Sequence, residues 1–337
     1  MRDHESALVL YEEAMAFVRS AALRAFARLN VAEHLDDEVP TTVSALARAT
    51  GARPDGLSRL LRFLASRDVV RRYDEDRYTL APVGRALRGD AEPSARSGVL
   101  MFTDPMFWTT CHRLESSLTD PEPTFARHFG EQLGDYFSAN PEIDELFYEG
   151  MATVSDAENA IVATASDLPD SGTVVDVGGR NGSMLLAALR ARPALEGVLF
   201  DRPDALDTHR LDQAEEHGRF KAVGGDFFSE VPRGDVLVLK RILHNWDDTD
   251  SIRILDSCRR ALEPGGRVLV VDAVVPENDS EHQSRLMDLM MLGACTGQER
   301  SAAELEPLFT AAGLRLTRVI PTSSVMSIVE AVAGARA

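Results

Sequence analysis

Hydrophobic and polar positions divide the chain into two differently patterned stretches. Between residues 14 and 29, Ala14, Phe17, Val18, Ala21, Ala22, Ala25, Phe26 and Leu29 recur at helical spacing, with Arg19, Arg24 and Arg28 on the polar side. Residues 41–49 read as a short capped helix that Gly51 ends. Residues 54–65 read as a second helix, with Leu57, Leu60, Leu61 and Leu64 on one face. Residues 69–73 and 77–80 read as strands across the polar turn Asp74-Glu-Asp76. Two helices and a hairpin predict a winged helix. Bulky residues follow at Met101, Phe102, Met106, Phe107 and Trp108. Pro141 then opens a further helix whose apolar face carries Phe147, Tyr148 and Met151.

The period changes after the turn-rich break at residues 168–172. Thr173-Val-Val-Asp-Val177 is a short, β-branched apolar run, as expected of a parallel strand covered on both faces. Glycines at 178, 179 and 182 lead into a helix at Met184–Leu189. Further strands are expected at 197–201, 220–223, 234–240 and 267–272, the last entered through a sharp turn at Glu263-Pro-Gly-Gly266. Asp248 or Thr249 caps a helix that runs to Leu262, and a methionine-rich helix covers 281–292. Ser301 caps another helix, with Glu304 completing a capping box. Strands at 314–320 and 325–332 finish the pattern. Strands alternating with helices predict an α/β, doubly wound sheet, here ending in an antiparallel hairpin.

Composition narrows the function. With 44% hydrophobic and 27% charged residues the chain is a globular protein, long enough for two domains. Its net charge of −18 argues against nucleic acid, whose phosphates need clustered cations. The winged-helix stretch from Thr41 to Asp90 carries ten arginines against six acids, a modest excess that favours a dimerisation and lid role over DNA binding. Cys111, Cys258 and Cys295 have no paired or metal-like spacing and read as free thiols, with no metal site. No secretory pattern and no long apolar run is present, so a cytoplasmic protein without membrane attachment is expected.

The candidate chemistry gathers at the ends of the expected strands. The glycine turn has the spacing G-G-x-x-G rather than the dinucleotide G-x-G-x-x-G, and Arg180 would crowd a pyrophosphate. Asp176 lies inside the strand, within reach of the turn's amides or of a cationic ligand. Asp201, ending the second strand, suits a ribose diol. Asp226 beside Phe227 suits an adenine, the acid for its amine and the ring for stacking. His244 follows the fourth strand on the crevice side, a place for a general base. His112, His128, His209, His217 and His282 have no comparable setting.

From residue 14 to 333 the ordered motifs Asp176-Val-Gly-Gly, Asp201, Gly225-Asp-Phe-Phe, Leu239-Lys-Arg-Ile-Leu-His-Asn-Trp, Glu263-Pro-Gly-Gly, Gln298-Glu-Arg and Ser327-Ile-Val-Glu330 resemble those of the winged-helix S-adenosylmethionine-dependent O-methyltransferases. That family acts on phenolic small molecules, including plant secondary metabolites and bacterial polyketide antibiotics. The resemblance implies a class I methyltransferase fold, with a winged-helix dimerisation domain at 1–95, a helical linker and substrate-pocket region at 96–168 and a catalytic domain at 169–337. It implies a homodimer, S-adenosyl-L-methionine as cofactor and an aromatic substrate. Asp176, Gly178, Gly179, Asp201, Arg202, Gly225, Asp226, Phe227, Lys240 and Arg241 would contact the cofactor. His244 would be the base, steadied by Glu299 and Glu330, with Asp247 a local rival. Trp108, Phe137, Met151, Asn245, Met287 and Met291 would line the substrate pocket, although the stripe of Met287, Met290 and Met291 suits helical core better. The sequence departs from the family at Arg180, where a third glycine is usual.

The expected reaction is in-line transfer of the sulfonium methyl to an aromatic hydroxyl. A phenol at about 10 and a histidine at about 6.5 differ by roughly 3.5 pKa units, so complete proton transfer before attack would cost about 5 kcal/mol. Transfer must accompany attack, or an acid must stabilise the imidazolium. Alternatives on the same fold are a C- or N-methyltransferase and a homologue that no longer methylates; a winged-helix regulator is a further class.

Overall fold

The winged-helix pattern closes where the caps predict. Thr42 accepts the Ala45 amide and starts helix Val43–Thr50, and Gly51 ends it in the left-handed conformation. Pro54 opens helix Pro54–Ala65. Strands β1 (Thr41–Thr42), β2 (Val70–Arg72) and β3 (Arg77–Leu80) pair antiparallel in the order β1-β3-β2. Asp74 shapes the wing turn by accepting the Asp76 and Arg77 amides. Phe26, Leu46, Leu61, Leu64 and Tyr78 fill the core.

The computed structural model describes residues 3–207, 209–211 and 218–334. They form two compact units, Met1–Trp108 with Asn140–Val154, and Thr109–Ala139 with Ser155–Ala337. In the first, the helix expected over 14–29 spans Phe17–Arg28, and a helix the pattern did not announce, Asp3–Ala14, precedes it. Leu8, Leu10, Tyr11, Met15 and Phe17 stand exposed there. The bulky stretch before Trp108 breaks into Arg96–Phe102 and Pro105–His112, because Pro105 disfavours a helical conformation at Asp104.

The second unit is built on a seven-stranded sheet. Its strands are β4 (Ser171–Val177), β5 (Ala194–Asp201), β6 (Phe220–Gly224), β7 (Gly234–Lys240), β8 (Leu262–Asp272), β9 (Leu314–Pro321) and β10 (Ser327–Ala333), in the order β6-β5-β4-β7-β8-β10-β9. Strands β4 to β8 pair in parallel, and β10 lies antiparallel between β8 and β9. Alternation along each strand fills both faces. Val175, Leu237, Leu239 and Val270 pack with Ile254 and Phe309 on one side, and Val174, Val236, Val238 and Val271 with Leu185 and Leu189 on the other. Chain order reverses between β4 and β7, so their C-terminal ends flank the crevice that such a switch point opens.

Two of the boundaries that differ from expectation have a visible physical cause. The turn at 263–266 is absorbed into β8: Gly234 pairs with Leu262 and Val236 with Arg267, so the extra residues bulge out. Gly266 is required there, since a Cβ would come 2.8 Å from the Asp235 carbonyl oxygen. Asp247, not Asp248 or Thr249, caps helix Asp248–Ala261 by accepting the Asp250 amide. Among the described residues no helix is long and apolar enough to cross a membrane.

The capping box of helix Ala302–Ala311 forms in full, Ser301 accepting the Glu304 amide and Glu304 accepting the Ser301 amide. We expect Ser301→Ala to lose about 1 kcal/mol, seen calorimetrically as a Tm lower by about 2–4 °C. An unchanged Tm would show that the box contributes nothing.

Candidate active site

The glycine turn is shaped from below by Asp176. Its buried carboxylate accepts the Leu185 amide at 3.2 Å, pinning helix Ser183–Ala191 to the end of β4. Burial pushes this carboxyl up to about 7, partly opposed by that amide and by Lys240. Gly178 and Gly182 adopt positive φ values of 73° and 75°. A Cβ on Gly179 would collide with the Asp176 carboxyl group. Arg180 takes φ 44°, so the residue that departs from the family occupies the left-handed conformation a glycine would take, at about 1–2 kcal/mol.

Asp201 ties the neighbouring strand ends together. It accepts the Arg180 amide at 2.9 Å and the Arg202 amide at 2.7 Å, while its carbonyl accepts the Gly225 amide at 2.9 Å. Arg202 itself is exposed and pairs with Asp204. Asp226 is exposed and accepts the Phe228 amide. Phe227 lies half-buried against Trp246 and beside the glycine turn, 3.7 Å from where a Gly178 Cβ would stand.

At the end of β7 two buried cations share one carboxylate. Glu158 bonds Lys240 at 3.1 Å and Arg241 at 2.7 Å, and the Lys240 ammonium also donates to Ser155. Burial lowers the Lys240 pKa, and Glu158 opposes that shift. The group carries a surplus of one positive charge next to a bare glycine turn, which a buried carboxylate from a ligand would neutralise. Glu158 and Ser155 lie in helix Pro141–Ala165, and only their distance in sequence from β7 concealed them.

His244 sits in the one-turn 3-10 helix Leu243–Asn245 just beyond β7. Its Nδ1 lies 2.9 Å from Oε1 of Glu299, both groups buried. An ionised carboxylate only accepts, so Nδ1 carries the proton and Nε2 is left as the acceptor. Glu299 is held in turn by its amide, which donates to Asp288. A second acid, Asp272, stands at the end of β8, and nothing in the local sequence distinguishes it from an ordinary strand terminus. Burial raises it to about 7, and the charges acting on it are those of His244, Glu299, Arg241 and Arg300.

Glu330 is a correction. Its carboxylate bonds Thr317, Arg318 and Arg267 and not His244. Because β10 runs antiparallel, Ser327 stands level with Asp272, and Glu330 lies opposite Leu269, three residues back from the C-terminal end of β8. Asp247 is likewise engaged elsewhere, as the helix cap. Of the expected pocket residues, Trp108 and Met151 belong to the first unit, and Phe137, Asn245, Met287 and Met291 to the second. Phe137 and Met291 are buried, Met287 packs on the sheet core, and Asn245 is exposed and donates to the Arg241 carbonyl. His217 lies outside the described residues.

The chain is similar to known proteins over most of its length. A family model described as an O-methyltransferase domain matches residues 112–315, and one described as an O-methyltransferase dimerisation domain matches residues 11–90. A phenazine O-methyltransferase of Lysobacter antibioticus is 37% identical over 308 residues, 90% of each chain. A mitomycin biosynthesis 6-O-methyltransferase of Streptomyces lavendulae is 34% identical over 310 residues, 90% of this chain and 87% of its own. Among solved structures, CalO1, a methyltransferase in calicheamicin biosynthesis in an SAH-bound form, matches with a TM-score of 0.93 and 57% identity. The match covers 99% of this chain and 100% of that one.

Two outcomes test this geometry. Gly178→Ala places a Cβ 2.5 Å from the Ile242 Cδ1 at a left-handed φ. We expect calorimetry to show S-adenosylmethionine binding about tenfold or more weaker, equivalent to about 1.4 kcal/mol; an unchanged Kd would contradict a close backbone approach. Asp272 is raised to about 7 from 3.8, so between those values the unfolded chain binds fewer protons than the folded one. Stability therefore falls as pH rises across that window. Asp272→Asn removes this contribution, and its Tm should decline less steeply from about pH 4.5 to 7.5 than that of the wild type. Equal slopes would refute the shift.

Proposed function

Given that the chain belongs to the S-adenosylmethionine-dependent O-methyltransferase family, we propose that it methylates a phenolic hydroxyl of an aromatic small molecule in secondary-metabolite biosynthesis, with His244 as general base. The observation that carries the reading is the buried His244–Glu299 pair just beyond β7, on the side where the switch point opens. The antibiotic and phenazine pathways named for the relatives support the substrate class.

The residues present fit the adenosyl cofactor. The surplus positive charge at Lys240, Arg241 and Glu158 suits its carboxylate. Gly178 and Gly179 give close backbone approach, Asp201 suits the ribose diol, and Asp226 with Phe227 suits the adenine. S-adenosylmethionine supplies an electrophilic methyl group on a sulfonium sulfur.

The chain's own part is to hold and deprotonate the acceptor. His244 Nε2 takes the hydroxyl proton as the oxygen attacks. Glu299 keeps Nδ1–H aligned and stabilises the imidazolium that forms, much as a carboxylate orients the histidine of a hydrolase triad. A hydrogen bond to a charged group contributes about 1.5–3 kcal/mol, a large part of the roughly 5 kcal/mol mismatch between phenol and imidazole. Burial raises the Asp272 carboxyl to about 7, so it carries less negative charge beside the pair than an exposed aspartate would.

For the chain as a whole we propose the division 1–95 for dimerisation, 96–168 for the substrate pocket and 169–337 for catalysis, in a homodimer. The apolar Leu8, Leu10, Tyr11, Met15 and Phe17, exposed in the first unit, support a covered surface there.

The test is His244→Ala. We expect kcat to fall about 10²–10⁴-fold with the KM for S-adenosylmethionine unchanged, followed by transfer of isotopically labelled methyl to phenolic acceptors. Near-normal turnover would remove His244 as the base.

A further inference from the structure

Arg300 is a buried cation that the reaction does not call for. Its side chain is 2% exposed, and its ion-pair partner, Asp248, is 62% exposed. Burying a guanidinium against an exposed partner is a poor source of stability, so its other contacts decide what it does. Nη1 donates to the Leu243 carbonyl at 3.1 Å and Nη2 to the Trp246 carbonyl at 2.8 Å. Nε and Nη2 both reach Oδ1 of Asp248, at 3.0 and 2.8 Å. The two carbonyls bracket the turn Leu243–Asn245 that carries His244.

The neighbouring residues complete the grip. Glu299 holds the imidazole through Nδ1. Gly297 packs directly on the His244 carbonyl oxygen, leaving no room for a Cβ. The loop is anchored behind by the Arg300 carbonyl, which accepts the Val275 amide, and by the Glu299 amide, which donates to Asp288. One short segment thus holds His244 by both ring and backbone.

We propose that Arg300 is a positioning residue for the base, fixing the His244 turn so that Nδ1 meets Glu299 and Nε2 faces the crevice. The proposal rests on His244 being the base. A planar guanidinium suits the task because its donors diverge in fixed directions toward three acceptors; an ammonium cannot reproduce that fork.

The experiment compares Arg300→Gln, Arg300→Lys and Asp248→Asn with His244→Ala in the full-length protein, reading kcat, its pH profile and the Kd for S-adenosylhomocysteine. Arg300→Gln should lower kcat by on the order of 10²-fold, the cost of displacing a catalytic group by about 1 Å. The Kd should stay within a few-fold, because the Arg300 side chain bonds only the Leu243 and Trp246 carbonyls and Asp248 and none of the residues proposed to hold the cofactor. The acid limb of the kcat profile should move to lower pH, since a misaligned Glu299 stabilises the imidazolium less. Arg300→Lys should recover part of the loss. Asp248→Asn leaves the buried guanidinium in place and should show a smaller loss with the same direction of limb shift, so it carries the test if the Gln variant does not fold. Wild-type kcat and limb in these variants, or parallel loss of kcat and of cofactor binding, would overturn the proposal. If His244→Ala stays active the base assignment fails; if it is inactive while Arg300→Gln is normal, only the positioning role fails.

Discussion

A carboxylate and an imidazole held 2.9 Å apart at the end of a parallel strand set the terms for the rest of the second unit. Neither group is favoured there alone: burial penalises the ionised acid, and an unpartnered ring nitrogen costs free energy. Together they pair Nδ1 with Oε1 and leave one ring nitrogen to accept a proton. That arrangement needs β7 to end at the switch point, a turn to lift His244 out of the strand direction, and a second loop to bring Glu299 over it. The sheet order supplies the first, the 3-10 turn the second and the 297–301 segment the third.

The cofactor half obeys a different constraint, charge balance in a buried place. Two cations and one acid around Glu158 leave a positive surplus, and Asp176 beneath the glycine turn is pushed toward neutrality by burial. This balance supports the proposed cofactor site: the carboxylate of a zwitterionic sulfonium ligand would neutralise the surplus. Arg180 belongs to the same economy of shape: by accepting a left-handed φ it preserves a turn that glycine would form without strain.

Much of this was legible in the sequence where local chemistry decides local structure. The run Thr173–Val177 with its glycines, the Ser301–Glu304 capping box, the wing turn at Asp74 and the closing hairpin all depend on neighbours in sequence, and all form. What failed depended on direction or distance. Glu330 is expected beside His244 only from the family resemblance, and antiparallel pairing carries it away from the strand ends where His244 lies. Asp272 reads as an ordinary strand end, and its burial among His244, Glu299, Arg241 and Arg300 is a tertiary fact. Glu158 and Ser155 reach Lys240 across more than eighty residues of chain. Helix Asp3–Ala14 escaped notice because Leu8, Val9, Leu10 and Tyr11 are consecutive and trace no stripe.

The central claim is that Glu299 fixes the His244 ring with Nδ1 protonated and Nε2 free to accept. Nitrogen-15 NMR of the histidine-labelled protein, with the His244 signals assigned by comparison with the His244→Ala spectrum, reads this tautomer directly above the pH at which the ring titrates. The account predicts a protonated Nδ1 and a pyridine-like Nε2, with that preference lost in Glu299→Gln. A proton found on Nε2 in the wild-type protein would contradict it.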